Sequence, residues 1–293
     1  MAAKGSSMSR TVQVHIIGAS GRSGKALCRS MQAGFVPVVR DQDKWSATGI
    51  DVAARVTDIT DAAGLHAALA DATHIVCCVH ARYAGAVIDA APADARLIFL
   101  GSTRKFTNWL DTHGRGVLAG EAAFLASGRS GVMLHPTMIY GAQGEDNVQR
   151  LAALLRRLPI VPLPGGGKAL VQPIHQDDVT RAIRAALEHA WNGPKTLVIA
   201  GPTALPYADF VRAVASAAGL RRPHVIPVSA GLLMAAANLA RCIPRMPKVQ
   251  PDEIRRLLED KAFDVRPMQQ ILGVSPMPLP AGLARTFASQ HNS

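Results

Sequence analysis

The stretch "HIIGASGRSGKAL", residues 15–27, sets Gly18, Gly21 and Gly24 directly behind an apolar run. The run "TVQVHIIGA" reads as a buried strand, and "SGKALCRSMQAG" reads as a helix that ends at Gly34. Between them each glycine has a physical task. Gly18 lets the chain turn sharply, Gly21 lets backbone approach a bound group, and Gly24 lets the helix start close to the sheet. The helix N-terminus then points unpaired N–H groups at whatever sits there, and an anion suits it best. Gly18, Ala19, Ser20, Gly21, Arg22, Ser23 and Gly24 are therefore a candidate phosphate loop. A purely structural glycine turn is the alternative.

Outward from this loop, strand-like and helix-like pieces alternate. "FVPVVRD", the short "RVTD", "ATHIVCCVH", "ARLIFLGST", "GVMLHPTMIYG" and "KTLVIAG" read as strands. Helical patterns separate most of them, including "HGRGVLAGEAAFLASGRSG" and "HQDDVTRAIRAALEHA". Continuous apolar strands joined by helices imply βαβ units in an α/β, doubly wound parallel sheet. The expected layout is a flexible tail over 1–10, a nucleotide-binding domain over 11–200 and a smaller C-terminal part over 201–293. Within the larger domain, "LPIVPLPGGGKALVQPI" suggests an irregular excursion at about 142–172, and Thr203 is the expected N-cap of the helix "TALPYADFVRAVASAAG".

Composition narrows the function. The 293 residues are 48% hydrophobic and 18% charged, too apolar for disorder, and only 4% aromatic. The net charge of +11 invites an anionic partner. The arginines and lysines are scattered, with no basic run interleaved with aromatics, so no nucleic acid is expected. Cys28, Cys77, Cys78 and Cys242 lack metal-ligand spacing and read as free thiols, which suits a reducing compartment. The polar N-terminus has no signal-peptide pattern, and no run reaches the length of a membrane span, so a cytoplasmic protein is expected. "SAGLLMAAANLARCIPRMPK", from Ser229, has an apolar body with Arg241, Arg245 and Lys248 behind it. It suggests either peripheral membrane contact or a core helix.

The glycine spacing is Gly-x-x-Gly-x-x-Gly, and "DITD", "LGST", "HPTMIYG" and "QPIHQDDVTRAI" follow in order. In these marks the chain resembles the extended or atypical short-chain dehydrogenase/reductase superfamily, including its epimerase/dehydratase-like and NmrA-like branches. The resemblance runs over nearly the whole chain and implies a Rossmann-type fold, a dinucleotide cofactor and a small-molecule substrate. It places the cofactor's phosphates on the glycine loop and its adenine near Asp58 and Ile59. Cys78, Val79 and His80 face the ribose and nicotinamide. The second strand ends in Arg40 and Asp41. A guanidinium there suits the 2′-phosphate of NADP through forked hydrogen bonds, with Arg22 able to assist. Asp41 leaves NAD as second choice, and Arg40 as a plain surface residue is the alternative.

The superfamily's chemistry uses a Tyr-x-x-x-Lys pair on one helix face, helped by a Ser or Thr at the end of the fifth strand. Ser102 and Thr103 match the helper. The pair is missing: with Glu121 as a mark, His113 falls at the tyrosine and Val117 at the lysine. Tyr83, Tyr140 and Tyr207 lie elsewhere, and Lys105 is on a loop near Ser102. His113 is a candidate acid or base, while His135 and His175 are candidates to line a substrate pocket. Two functions stand open. One is a reductase, epimerase or dehydratase with a rearranged site; the other is a non-catalytic NADP(H)-binding sensor or assembly subunit.

Overall fold

The computed structural model describes residues 12–31, 33–141, 147–158, 160–240 and 251–288. The expected tail over 1–10, Cys242 and the basic residues Arg241, Arg245 and Lys248 lie outside these. Six strands build the first part of the chain: β1 (Val14–Ile17), β2 (Phe35–Val39), β3 (Arg55–Val56), β4 (His74–Cys77), β5 (Arg96–Leu100) and β6 (Gly131–Pro136). Four short ones follow, β7 (Ile139–Tyr140), β8 (Ile160–Pro164), β9 (Leu170–Val171) and β10 (Ile174–His175). The last three are β11 (Pro194–Ile199), β12 (Leu205–Pro206) and β13 (His224–Val228).

Among the described residues the main sheet has seven strands, all parallel, in the order β11-β6-β5-β4-β1-β2-β3. The order reverses between β1 and β4, the point where open α/β sheets form a crevice. Helices cover both faces. Helices α1 (Arg22–Met31) and α7 (Gln176–Glu188) lie on one side, and α3 (Ala62–Leu69), α4 (Ala84–Ala90) and α5 (Thr112–Ala126) on the other; the five-residue α2 (Gln42–Ser46) tucks Trp45 under the first face. Alternation along β5 shows why the strands are apolar throughout. Ile98 and Leu100 enter the core with Leu27 and Val179, while Leu97 and Phe99 enter the core with Val87 and Phe124.

A second layer of elements packs beyond the carboxyl edge. Helices α6 (Asn147–Arg157) and α8 (Tyr207–Ala217) bury Val148, Ala152, Phe210 and Val214 with Tyr140. Helices α9 (Ala230–Ala240) and α10 (Pro251–Arg256) come next. Of the last two, α11 (Arg266–Leu272) returns to α7 and β11, and α12 (Leu279–Ala288) lies on α8.

The sequence reading needs three corrections. The expected irregular excursion holds β8 and β9, because their partners are remote: β8 pairs with β13, and β9 with β12. "GVMLHPTMIYG" is two strands, since β6 stays in the main sheet while β7 leaves it to pair with β10. Thr203 is not the cap of α8. Leu205 and Pro206 are held extended against β9, so the helix starts at Tyr207 and Pro206 occupies the cap position. The apolar stretch at Ser229 does form a helix, α9, but none of its described side chains is buried.

Candidate functional site

The loop after β1 is closed by its own backbone. Gly18 sits at φ +77°, where an L side chain is strained, and a Cβ there would lie 2.6 Å from Val79 Cγ1. At Gly24 a Cβ would fall 2.2 Å from the Gly18 carbonyl oxygen and 2.9 Å from Ala19 Cα. Only glycine lets α1 begin this close to the strand. The Gly21 N–H donates to the Gly18 carbonyl at 2.9 Å. The Ser23 hydroxyl is turned inward, donating to Gln176 Oε1 at 3.3 Å and tying α1 to α7. The loop thus presents the N-terminus of α1 itself, with Ala19 buried beneath it and Gly21 and Arg22 exposed at its rim.

At the neighbouring edge Arg40 is exposed just past β2. Asp41 is occupied: its carboxylate accepts from the Lys44 N–H at 3.1 Å and caps α2. Asp58 folds into its own turn, accepting from the Thr60 N–H at 2.9 Å and hydroxyl at 2.7 Å. These bonds hold its carboxyl below the usual range, and the nearby Arg40 guanidinium adds to the effect. Ile59 packs half-buried beside the core under α3.

Past β4, Cys77 and Cys78 are free thiols. Burial pushes Cys77 up to about 12 and Cys78 well above its ordinary value, so neither is a ready thiolate. Val79 abuts Gly18, as noted. His80 then meets His113 on the first turn of α5, with His80 Nε2 and His113 Nδ1 at 2.8 Å. The Arg82 N–H donates to His80 Nδ1 at 3.0 Å. A neutral His80 therefore carries its proton on Nε2 and gives it to His113 Nδ1, which leaves the His113 proton on Nε2. Burial lowers His80 to about 4, with His113 and Arg82 contributing. Burial also lowers His113, and the Arg104 guanidinium adds to it. Both imidazoles are neutral at pH 7. The approach of α5 depends on Gly116 and Gly120, whose Cβ atoms would lie 2.8 Å from His80 Cε1 and 1.9 Å from the Ala81 carbonyl.

Val117, where the sequence resemblance sets the lysine of the pair, is sealed in the core at 1% exposure. The cation nearby is Lys105, in a short 3₁₀ turn over Thr103–Phe106. Its Nζ lies 2.7 and 2.5 Å from the two carboxylate oxygens of Glu121. Glu121 Oε2 also lies 3.1 Å from His135 Nε2, and the Ser102 N–H donates to His135 Nδ1 at 3.2 Å. Neutral His135 thus keeps its proton on the Glu121 side. Burial lowers His135 to about 4, and Lys105 pushes the same way. The Ser102 hydroxyl oxygen accepts from the Arg104 N–H at 3.1 Å, and the Thr103 hydroxyl donates to the Pro136 carbonyl at 3.2 Å. Asp111 caps α5 and pairs with Arg104 at 2.7 Å and Arg256 at 3.3 Å, which sets two guanidiniums beside His113.

The fold therefore brings His80 and His113 together, and it joins Lys105, Glu121 and His135 into one buried cluster. Sequence reasoning named all five but linked none of them, since their contacts cross 14 to 33 positions. His175 caps α7 through Nδ1, and its Nε2 is buried without a partner.

No family model and no curated protein sequence matches the chain. Solved structures do match by shape. A UDP-glucuronic acid 4-epimerase from Bacillus cereus, in complex with UDP-glucuronic acid and NAD, is 15% identical; the match covers 96% of this chain and 99% of that one, with a TM-score of 0.70. An NADPH-dependent quinone oxidoreductase from Escherichia coli, complexed with NADPH, is 19% identical over 94% and 99% of the two chains, with a TM-score of 0.70. A triphenylmethane reductase from Citrobacter sp. is 15% identical over 94% and 99%, with a TM-score of 0.73. The chain has the Rossmann-type α/β fold of these epimerase and reductase structures.

Proposed function

We propose that the protein binds NADP(H) across the carboxyl ends of β1, β2 and β4 and reduces a small carbonyl-type acceptor. The observation that carries the binding is the turn in which Gly18 and Gly24 leave no room for a Cβ, so that α1 opens directly behind β1. That cradle fits a pyrophosphate on the helix N-terminus. Arg40 would take the 2′-phosphate, and Asp41, committed to capping α2, is poorly free to take a ribose hydroxyl. Asp58 and Ile59 would border the adenine, and Cys78, Val79 and His80 the nicotinamide end. When bound, the reduced cofactor supplies a hydride.

The chain's own residues then have to hold the acceptor oxygen. His113, with Nδ1 accepting from His80, offers Nε2–H as an oriented neutral donor, and such a donor stabilises negative charge developing on oxygen. Neutral imidazole does not surrender that proton at pH 7, so solvent completes the reduction. Oxidising a hydroxyl needs a free base to take its proton, and His113 Nδ1 is already engaged. With His113 Nδ1 engaged, solvent carries the proton in either direction.

A second reading is a binder without turnover. It is favoured by Val117 in the lysine position and by Lys105 held in its pair with Glu121. Incubation with [4-²H]NADPH and a panel of carbonyl and quinone acceptors separates the two. Deuterium in a product supports the reductase; none, with NADPH binding retained, supports the binder.

A further inference from the structure

Strands β8 and β13 form a two-stranded parallel ribbon in which Ile160 stands opposite His224 and Pro162 opposite Ile226. These four share one face, and all four are exposed, Ile160 at 50% and Ile226 at 44%. On the other face Val161 and Leu163 are buried among Ala208, Val211 and Ala215. A ribbon with one solvated face normally turns polar residues outward. This one turns out isoleucine and proline. Leu154 in α6 and Leu158 just after it, which precede β8 in the chain, are exposed as well. Helix α9, which follows β13 directly in the chain, exposes Leu232 at 64%.

Cations border this surface. Arg156, Arg212, Arg221, Arg222 and His224 line a cleft of about 1050 Å³ between the ends of α6 and α8 and the start of β13. Among the described residues no carboxylate lines it; Asp209 stands behind, paired with Arg212 at 2.7 Å. An apolar patch of this kind marks a contact surface, and its occupant must supply both hydrocarbon and negative charge. A second copy of the chain would bring the same arginines face to face, which costs energy. No helix among the described residues is long and apolar enough to cross a membrane.

We infer that this face docks on the surface of an anionic lipid bilayer. Ile160, Ile226 and Leu232 enter the headgroup boundary, and Arg156, Arg221 and Arg222 meet lipid phosphates. The inference stands apart from the cofactor reading, because none of these residues belongs to that site.

The test is co-sedimentation of the full chain with vesicles of phosphatidylcholine alone and of phosphatidylcholine and phosphatidylglycerol in equal parts. The expected result is binding about tenfold or more stronger to the anionic vesicles at about 0.1 M salt, falling steeply at about 1 M. Arg221→Glu/Arg222→Glu should lower anionic binding about tenfold or more. Leu232→Glu should lower it severalfold with an unchanged melting temperature, since that side chain is exposed. The inference is overturned if the protein ignores anionic vesicles, or if neither variant changes its binding. It is also overturned if light scattering shows a dimer that Leu232→Glu dissociates, which would make the occupant a second copy.

Discussion

His80 and His113 meet edge to face, with ring centroids 4.2 Å apart and a hydrogen bond of 2.8 Å between Nε2 and Nδ1. Each ring is fixed by a separate piece of backbone. The Arg82 N–H sets the tautomer of His80, and the cap that Asp111 gives α5 sets the place of His113. The result is a chain of three donors ending at His113 Nε2, at the carboxyl edge of the sheet.

His113→Ala should therefore retain NADPH binding and lower kcat for carbonyl reduction by about 100-fold, the usual cost of one oriented donor. Gly116→Ala should mimic it in part, because its Cβ would lie 2.8 Å from His80 Cε1 and must displace that ring. Steady-state NADPH oxidation beside equilibrium binding checks both. Equal loss of binding and turnover would remove His113 from the chemistry.

Gly24→Ala puts a methyl 2.2 Å from the Gly18 carbonyl oxygen, where backbone must yield. A loss of about 1–3 kcal/mol in urea unfolding is expected, with cofactor affinity falling alongside. Gly85→Ala, with nothing within 4 Å of its new Cβ, is the control. It lies inside α4, so it should be neutral or raise stability by up to about 1 kcal/mol.

Glu121 anchors the buried cluster, with Lys105 and Glu121 side chains 9% and 14% exposed. Glu121→Gln leaves the Lys105 ammonium uncompensated and should cost about 3–5 kcal/mol. Lys105→Met in the same chain should recover part of that loss. The double-mutant cycle measures the coupling, and additive losses would mean that the pair contributes nothing of its own.

Six histidines, His15, His74, His80, His113, His135 and His175, are held below their ordinary value, with burial the largest cause in each. Between about pH 6.5 and about pH 4 the unfolded chain binds more protons than the folded one, so stability rises with pH there and drains away on acidification. His135, lowered to about 4, should account for close to one proton of this difference. His135→Gln should flatten the dependence of the unfolding free energy on pH between 6.5 and 4. An unchanged slope would show that His135 titrates normally in the fold.

The sheet was legible in the sequence because its signals are local. A continuous apolar run followed by Gly18, Gly21 and Gly24 is both a strand end and a helix start, and Asp61 and Asp111 cap α3 and α5 within three residues of what they cap. The ribbon of β8 and β13 was not legible, since its pairing spans two helices and prolines break both strands. The site divides the same way. The candidate phosphate loop is one contiguous segment, whereas the His80–His113 bond and the Lys105–Glu121–His135 cluster exist only once α5 lies against the ends of β4, β5 and β6. Nor could hydrophobicity tell whether the stretch at Ser229 is buried; none of the described side chains of the apolar α9 is fully buried.

The central claim is that the glycine turn and Arg40 together hold NADP(H), and isothermal titration of the wild-type chain with NADPH and NADH tests it most directly. NADPH should bind tighter by about 10- to 100-fold, the worth of charge-assisted hydrogen bonds to one phosphate. Arg40→Asp should erase or reverse that preference without unfolding the chain, since Arg40 is exposed. Heat from neither nucleotide at millimolar concentration would contradict the account, and so would an Arg40→Asp variant that keeps the full preference for NADPH.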